Sequence, residues 1–459
     1  MAVAGETSDP FNTEAMFPPK PALRINGVIG DPCAPQPLDH ALNLQEVVNL
    51  ALCNNPQTRA AWANSLAQAA QVGESKAAYL PSVDLNASDN HTSGSTPGVD
   101  QRSAGVTFSY LLYDFGSRSA NLENARQLLT AASTTQDSTV QAVFLAAVQD
   151  YYQVQAAMAA LDAALESELA AKESFAAAEA RYNAGSATPA DKLQAQTAYS
   201  QATLNRITAD GNLKNAHGTL ANMIGLDANR EVPLVPANMA AIPDNFEADI
   251  SSLIEQARQR RPDLQAAAAQ VKAAEAGADA ARAAGRPTIS LTASSTQYNY
   301  SGIDSHGSQV GINLSIPIFS GYSTTYSVRA AEAQVGARNA QFEQVRLQVA
   351  LDVWTAYQNL ITATQSLRTT ADLLDSAEQS ARVALGRYKA GVGSILDALN
   401  AQSALASARQ QRIQSIFNWN IGRATLAQAM GSLDANLLQT LSNAGGQKAG
   451  VNQPQKTQP

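Results

Sequence analysis

The chain states one pattern twice. Asn55-Pro56 returns as Arg261-Pro262, and Tyr79-Leu80-Pro81 as Gly285-Arg286-Pro287. Arg181-Tyr182-Asn183-Ala184-Gly185 returns as Arg387-Tyr388-Lys389-Ala390-Gly391, and Gly225 as Gly431, each 206 positions later. An offset held constant over such distant landmarks marks a tandem duplication with almost no net insertion. A period this long describes two large supersecondary units rather than a solenoid of short ones. Whatever one copy builds, the other must build again and pair with.

Length alone would allow two or three globular domains in 459 residues. The composition argues for something thinner. The apolar fraction of 45% is inflated by alanine and aromatics are only 6%, so long helices packing through small residues fit better than a thick core. The net charge is −8 with no Lys/Arg run, which speaks against a nucleic-acid partner. No apolar stretch reaches the 18 or so residues of a transmembrane helix, so any membrane role must go through strands or surface attachment. Met1 to Glu6 has neither a basic n-region nor an apolar h-region, and no signal peptide is expected there. Cys33 and Cys53 are the only cysteines. Two in a chain of this size are as compatible with chance as with a bond that closes a loop of about 20 residues.

Along the chain the texture changes in a fixed order. Residues 1–41 are rich in Pro and Gly and read as an extended arm. A short amphipathic helix at 44–54 and an alanine-rich one from 56 to about 78 follow, each bounded by proline. Val83, Leu85 and Ala87 then alternate with polar residues, as do Val106, Phe108, Tyr110 and Leu112, the period of strands with one apolar face. From Ser117 to Ala184 there is neither Pro nor Gly, and helix-compatible spacing continues throughout. At ~1.5 Å per residue such a helix reaches roughly 100 Å. Gly185-Ser186-Ala187-Thr188-Pro189 makes a sharp reversal, with Thr188 or Ser186 as N-cap and Pro189 in the first turn of a return helix. The second copy repeats all of this, with its clearest alternation at Val310, Ile312, Leu314, Ile316 and Ile318. The reading thus divides the chain into the arm at 1–41, a first repeat at 42–228, a linker at 229–248, a second repeat at 249–435 and a flexible tail at 436–459. Strands are expected at about 82–92, 104–114, 287–300 and 308–319.

Four strand-length segments cannot close a barrel, and open hairpins leave unpaired edges. In lipid a sheet must close completely, so several chains must each lend four strands to one barrel. Strand hairpins set between long helices, the twin Arg-Tyr-x-Ala-Gly turns and the run Leu396-Asp397-Ala398-Leu399-Asn400-Ala401 resemble the TolC family of outer-membrane channel proteins. The resemblance covers about residues 42–435. It implies an α+β membrane protein and a homotrimer: a 12-stranded outer-membrane β-barrel, four strands per chain, continued by a 12-helix periplasmic α-barrel with an equatorial domain. It implies docking on a periplasmic adaptor and an inner-membrane pump, and export of drugs, toxic compounds or proteins. Small-molecule efflux and type I protein secretion both stay open. The rival of another class is a soluble coiled-coil scaffold, against which the strands and their polar loops speak.

The resemblance also assigns residues. The turns Gly185, Ser186, Ala187, Thr188 and Gly391, Val392, Gly393, Ser394 would contact the adaptor, although each is also simply a helix-hairpin turn. Asp397 and Asn400 match the family's pair of entrance aspartates, the second replaced here by Asn. Asp191 and Tyr388 would link neighbouring tips in the closed state, while Gly393 stands where the family's closing arginine is often found. In the oxidising periplasm so implied, a Cys33–Cys53 disulfide is expected. Tyr110, Tyr113, Phe115, Phe319 and Tyr322 are either membrane-interface anchors or packing at the junction of strands and helices. His40, His91, His217 and His306 are isolated, with no metal-ligand spacing. Gly391-Val392-Gly393-Ser394 lacks the lysine of a phosphate loop. No enzyme activity, metal or cofactor is expected.

Overall fold

The computed structural model describes residues 9–16, 33, 40–93, 99–236, 249–300 and 302–433. Most of the arm at 1–41, the latter part of the linker at 229–248 and the tail at 436–459 lie outside the described residues. The element order is α1 (Leu44–Asn54), α2 (Pro56–Ala77), β1 (Ser82–Thr92), β2 (Val99–Tyr113), α3 (Ser117–Asn183), α4 (Pro189–Met223), α5 (Ile250–Arg260), α6 (Pro262–Ala283), β3 (Thr288–Tyr300), β4 (Ile303–Ser315), α7 (Ser323–Lys389) and α8 (Ile395–Ala429). The chain forms two compact units, and each draws on both repeats. One contains Ala61–Gln136 and Pro262–Leu347, the other Asp137–Arg261 and Gln348–Pro459 together with Lys20–Ala60.

The first unit holds an antiparallel sheet of order β1-β2-β3-β4. Its middle pairing, β2 with β3, joins the two repeats. Directly opposite residues share a face, and the register puts Val83, Phe108, Ala293 and Val310 in one row. Tyr110, Leu291 and Ile312 form the next row, and Ile289 opposes Leu314. The other face carries Asp84, Thr107, Ser294 and Gln309. Ile312 is 71% exposed, so no described residue covers the apolar face there. Farther along β1 and β2 the same face turns polar, with Asp89 bridged to Arg102 at 3.3 Å and His91 to Asp100 at 2.6 Å.

Strand β4 ends at Ser315 rather than reaching 319, and begins at Ile303 rather than 308. Pro317 has no N–H to give to a ladder, so Ile316 and Ile318 keep the alternation of a strand without being part of one. Likewise β2 starts at Val99, ahead of the apolar alternation. Beyond β2, Asp114 accepts from the Arg118 backbone N–H at 2.7 Å and from its Nε at 3.1 Å, which anchors the start of α3. Tyr113 and Phe115 meet edge to face, as do Phe319 and Tyr322 in the second repeat. All four are exposed at the two strand-to-helix junctions. The helices of this unit pack through alanine: Ala266, Ala269, Ala273 and Ala276 of α6 are buried, and Asn124 of α3 donates to the Ala273 carbonyl at 2.6 Å.

The second unit has an apolar core built mainly from α1, α3 and α4 and including Val47, Leu52, Phe144, Val148 and Leu220. A capping box starts α1: Glu46 N–H donates to Asn43 Oδ1 at 3.0 Å, and Asn43 N–H to Glu46 Oε2 at 2.8 Å. Just upstream, Leu42 forms a parallel bridge with Leu234, which ties the segment after α4 back onto the front of α1. Cys33 is bonded to Cys53, with Cα atoms 5.3 Å apart. Closing this loop removes unfolded-chain entropy worth about 3 kcal/mol.

Asp150 of α3 is an expensive feature of this unit. Its Oδ2 is buried without a hydrogen-bond partner, and burial pushes its carboxyl up to about 6. A folded-state value above the unfolded one means that the native state holds the extra proton between about pH 4 and 6. Stability is therefore lost as pH rises through that window. After discounting for partial solvent access, the loss is about 1 kcal/mol. Asp150→Asn should raise stability by that amount at pH 7.5 and leave it unchanged at pH 4, read by denaturant midpoints at the two pH values.

Candidate functional site

The two copies of the Arg-Tyr-x-Ala-Gly motif end the two 67-residue helices. Gly185 has φ 72° and Gly391 φ 78°, the left-handed conformation that glycine adopts without penalty. In both turns the second residue onward closes a six-residue bond, Ser186 N–H to Arg181 O at 2.9 Å and Val392 N–H to Arg387 O at 3.0 Å. Five residues thus reverse a helix of roughly 100 Å, at about 1.5 Å per residue. Around both glycines there is open space. Ser186, Thr188, Val392 and Ser394 are exposed, while Ala187 and Gly393 are half-buried.

The return helices are capped in different ways. Thr188 is the N-cap of α4: its Oγ1 accepts from Asp191 N–H at 3.2 Å, and Asp191 Oδ2 accepts from Thr188 N–H at 2.9 Å. Asp191 is thus held inside its own hairpin. Ser394 caps α8 through Leu396 N–H at 3.0 Å. Asp397 follows in the first turn of α8, exposed, with Asn400 exposed one turn on. Their spacing puts both on one helix face. The structure keeps Asp397 and Asn400 together and leaves Asp191 apart from them as a capping residue.

Tyr388 is buried, and its hydroxyl has no hydrogen-bond partner. The Arg181 guanidinium lies 4.4 Å from the centre of its ring and donates through Nη2 to the Tyr388 carbonyl at 2.8 Å. Arg181 thereby joins the tip of repeat one to the tip of repeat two. Sequence inspection finds this residue only as a letter of the repeated motif. Its role shows only once the ends of α3 and α7 meet. A side chain at Gly393 would begin 3.0 Å from the Arg387 Cβ and 3.1 Å from the Tyr388 amide, so an arginine there would require the turn to shift.

Comparison with known proteins follows the same lines. The pattern described as outer membrane efflux protein matches residues 47–226 and 253–432, one match per repeat. Protein CyaE of Bordetella pertussis is 34% identical over 394 residues, covering 83% of this chain and 82% of that protein. Outer membrane protein TolC of Escherichia coli is 24% identical, covering 89% and 86% respectively. Among solved structures, the CusC channel superposes with a TM-score of 0.76 at 22% identity, covering 91% of this chain and 98% of that one. The open-state MtrE channel of Neisseria gonorrhoeae gives 0.73 at 21% identity, covering 86% and 90%. These two superpositions show the shared fold. Twin helical hairpins with tight tips, joined to an uncovered four-stranded sheet, and a sequence match over both repeats lead to one assignment: the chain belongs to the outer membrane efflux protein family, whose members are trimeric outer-membrane channels extending into the periplasm.

Proposed function

We propose that three copies of this chain form a passive exit duct for small molecules, including drugs and other toxic compounds. Substrate is handed over by an inner-membrane pump and a periplasmic adaptor that meets the Gly185 and Gly391 tips. The observation that carries this reading is the sheet: four strands with one uncovered apolar face and open outer edges at β1 and β4, set on helices that end in two exposed turns. Lipid tolerates such a sheet only when its edges are closed, and three copies supply the strands for closure. The Cys33–Cys53 bond belongs with an oxidising compartment such as the periplasm. Conduction of this kind needs no catalytic group, and the chain is read as a conduit and not as an enzyme. The same duct would serve a protein exporter, because the pump at its base selects the cargo.

At the periplasmic end, three Asp397 carboxylates around one axis make a narrow negative ring, which favours cations and opposes anions. As a lone helix-start aspartate the same residue would merely complement the helix N-terminus. Asp397→Ala should lower cation selectivity in planar-bilayer conductance and weaken block by multivalent cations, with the trimer mass in detergent unchanged. An unaltered ion preference would return Asp397 to helix capping alone. A monomeric mass in detergent would remove the duct itself.

A further inference from the structure

The duplication makes the contacts between the two repeats a template for contacts the chain does not complete by itself. Of the contacts that join the α3/α4 hairpin to the α7/α8 hairpin, among them the Arg409–Glu166 ion pair at 2.7 Å, three lie nearer the tips. Arg181 stacks on Tyr388 and donates to its carbonyl. Gln402 Nε2 donates to Ser174 Oγ at 3.0 Å. Ala177 and Leu399 pack against the small core of Tyr388, Ile395 and Ala398.

Moving each partner by the 206-residue offset gives a second set. Arg181 becomes Arg387, and Tyr388 becomes Tyr182. Ser174 becomes Ser380, and Gln402 becomes Gln196. Ala177 becomes Val383, and Leu399 becomes Leu193. The arginine–tyrosine and serine–glutamine pairs are chemically preserved, and the alanine–leucine contact is replaced by valine and leucine. Within one chain this second set is unused. Arg387, Ser380 and Gln196 are exposed, and their side chains make no hydrogen bond, ion pair or ring contact among the described residues. Val383, near the end of α7, is 62% exposed, and Leu193, in the first turns of α4, is 60% exposed.

We infer that these residues form the seam between neighbouring copies of this chain. Arg387 of one copy stacks on Tyr182 of the next, Ser380 bonds Gln196, and Val383 packs against Leu193. The occupant is a second copy because only the same chain presents the complementary half, displaced by the same repeat that built the internal contact. Lys192 lies 5.5 Å from the centre of the Tyr182 ring and is itself held by Glu179 at 2.8 Å. Tyr182 is still 39% exposed, which leaves ring surface for the incoming guanidinium. The seam would continue the internal contact around the tube, so that cationic clamps encircle the tips with none missing. This inference rests on the three-chain reading above.

Two double variants test it. Ser380→Cys/Gln196→Cys, oxidised in membranes, should give a ladder of covalent dimer and trimer on a non-reducing gel. Ser174→Cys/Gln402→Cys should cross-link within the chain and stay at monomer mass, and each single variant should give no ladder. Mass measurement of the detergent-solubilised protein accompanies every sample. A trimer with no ladder overturns the seam alone, whereas a monomer overturns the three-chain reading with it. If the ladder forms, Arg387→Ala and Tyr182→Ala should each shift the closed-to-open ratio in conductance by about three- to tenfold, and the double variant by no more than either one. Fully additive effects would overturn the stacking of Arg387 on Tyr182.

Discussion

Replacing Gly391 with glutamate should abolish export while the trimer survives. The backbone there has φ 78°, and a side-chain-bearing residue in that conformation costs about 1 kcal/mol. A new Cβ meets nothing within 4 Å, so the hairpin itself can absorb the change. The damage falls on the partner that receives the turn, where a bulky carboxylate must be desolvated. A docking loss of about 3 kcal/mol would cut occupancy roughly a hundredfold. The check is drug tolerance of a strain that relies on this duct, alongside trimer mass in detergent. The corresponding change at Gly185 should act in the same direction. Full tolerance with both glutamates in place would mean that neither turn meets the adaptor.

The second large effect is expected in the sheet. Ile312 lies opposite Leu291 in a row that also contains Tyr110, on the face that must meet lipid. An arginine at a barrel's lipid face costs roughly 2–4 kcal/mol near the bilayer midplane, and trimer symmetry counts it three times. Ile312→Arg should therefore eliminate the heat-resistant trimer from outer-membrane fractions. Asn313→Arg, one residue on and on the opposite face, should assemble normally. Equal assembly of the two variants would mean that the apolar row does not face lipid, and the barrel assignment would fall with it.

How much of this was readable in advance depends on the range of the interaction involved. Helix ends set by proline and glycine were legible to within a residue or two, because Pro56, Pro262, Gly185 and Gly391 act on their own turn. The capping role of Asp191 emerges only with the structure: the sequence points to Thr188 or Ser186 as N-cap, and Asp191 enters from the resemblance alone, without use of the Thr188-x-x-Asp191 spacing. Strand limits were harder. Ile316 and Ile318 sustain an alternation that Pro317 cannot support with hydrogen bonds, while Ile303 to Gly307 join β4 because β3 is there to pair with, despite little apolar pattern. The clamp between Arg181 and Tyr388 was out of reach, since it depends on how the ends of two helices more than 200 residues apart in sequence meet.

The central pairing of β2 with β3 has a consequence for assembly. A single repeat of this design would have to find five others, and every step of ring closure would depend on concentration. Fusing repeats in pairs makes half of those junctions intramolecular, where the effective concentration of the second partner is set by the connecting segment and no longer by expression level. The remaining junctions still wait for collision between chains. Assembly of the duct should therefore follow a third-order dependence on chain number where an unfused ancestor would have followed a sixth-order one, and scarcity of protein in the envelope becomes far easier to tolerate.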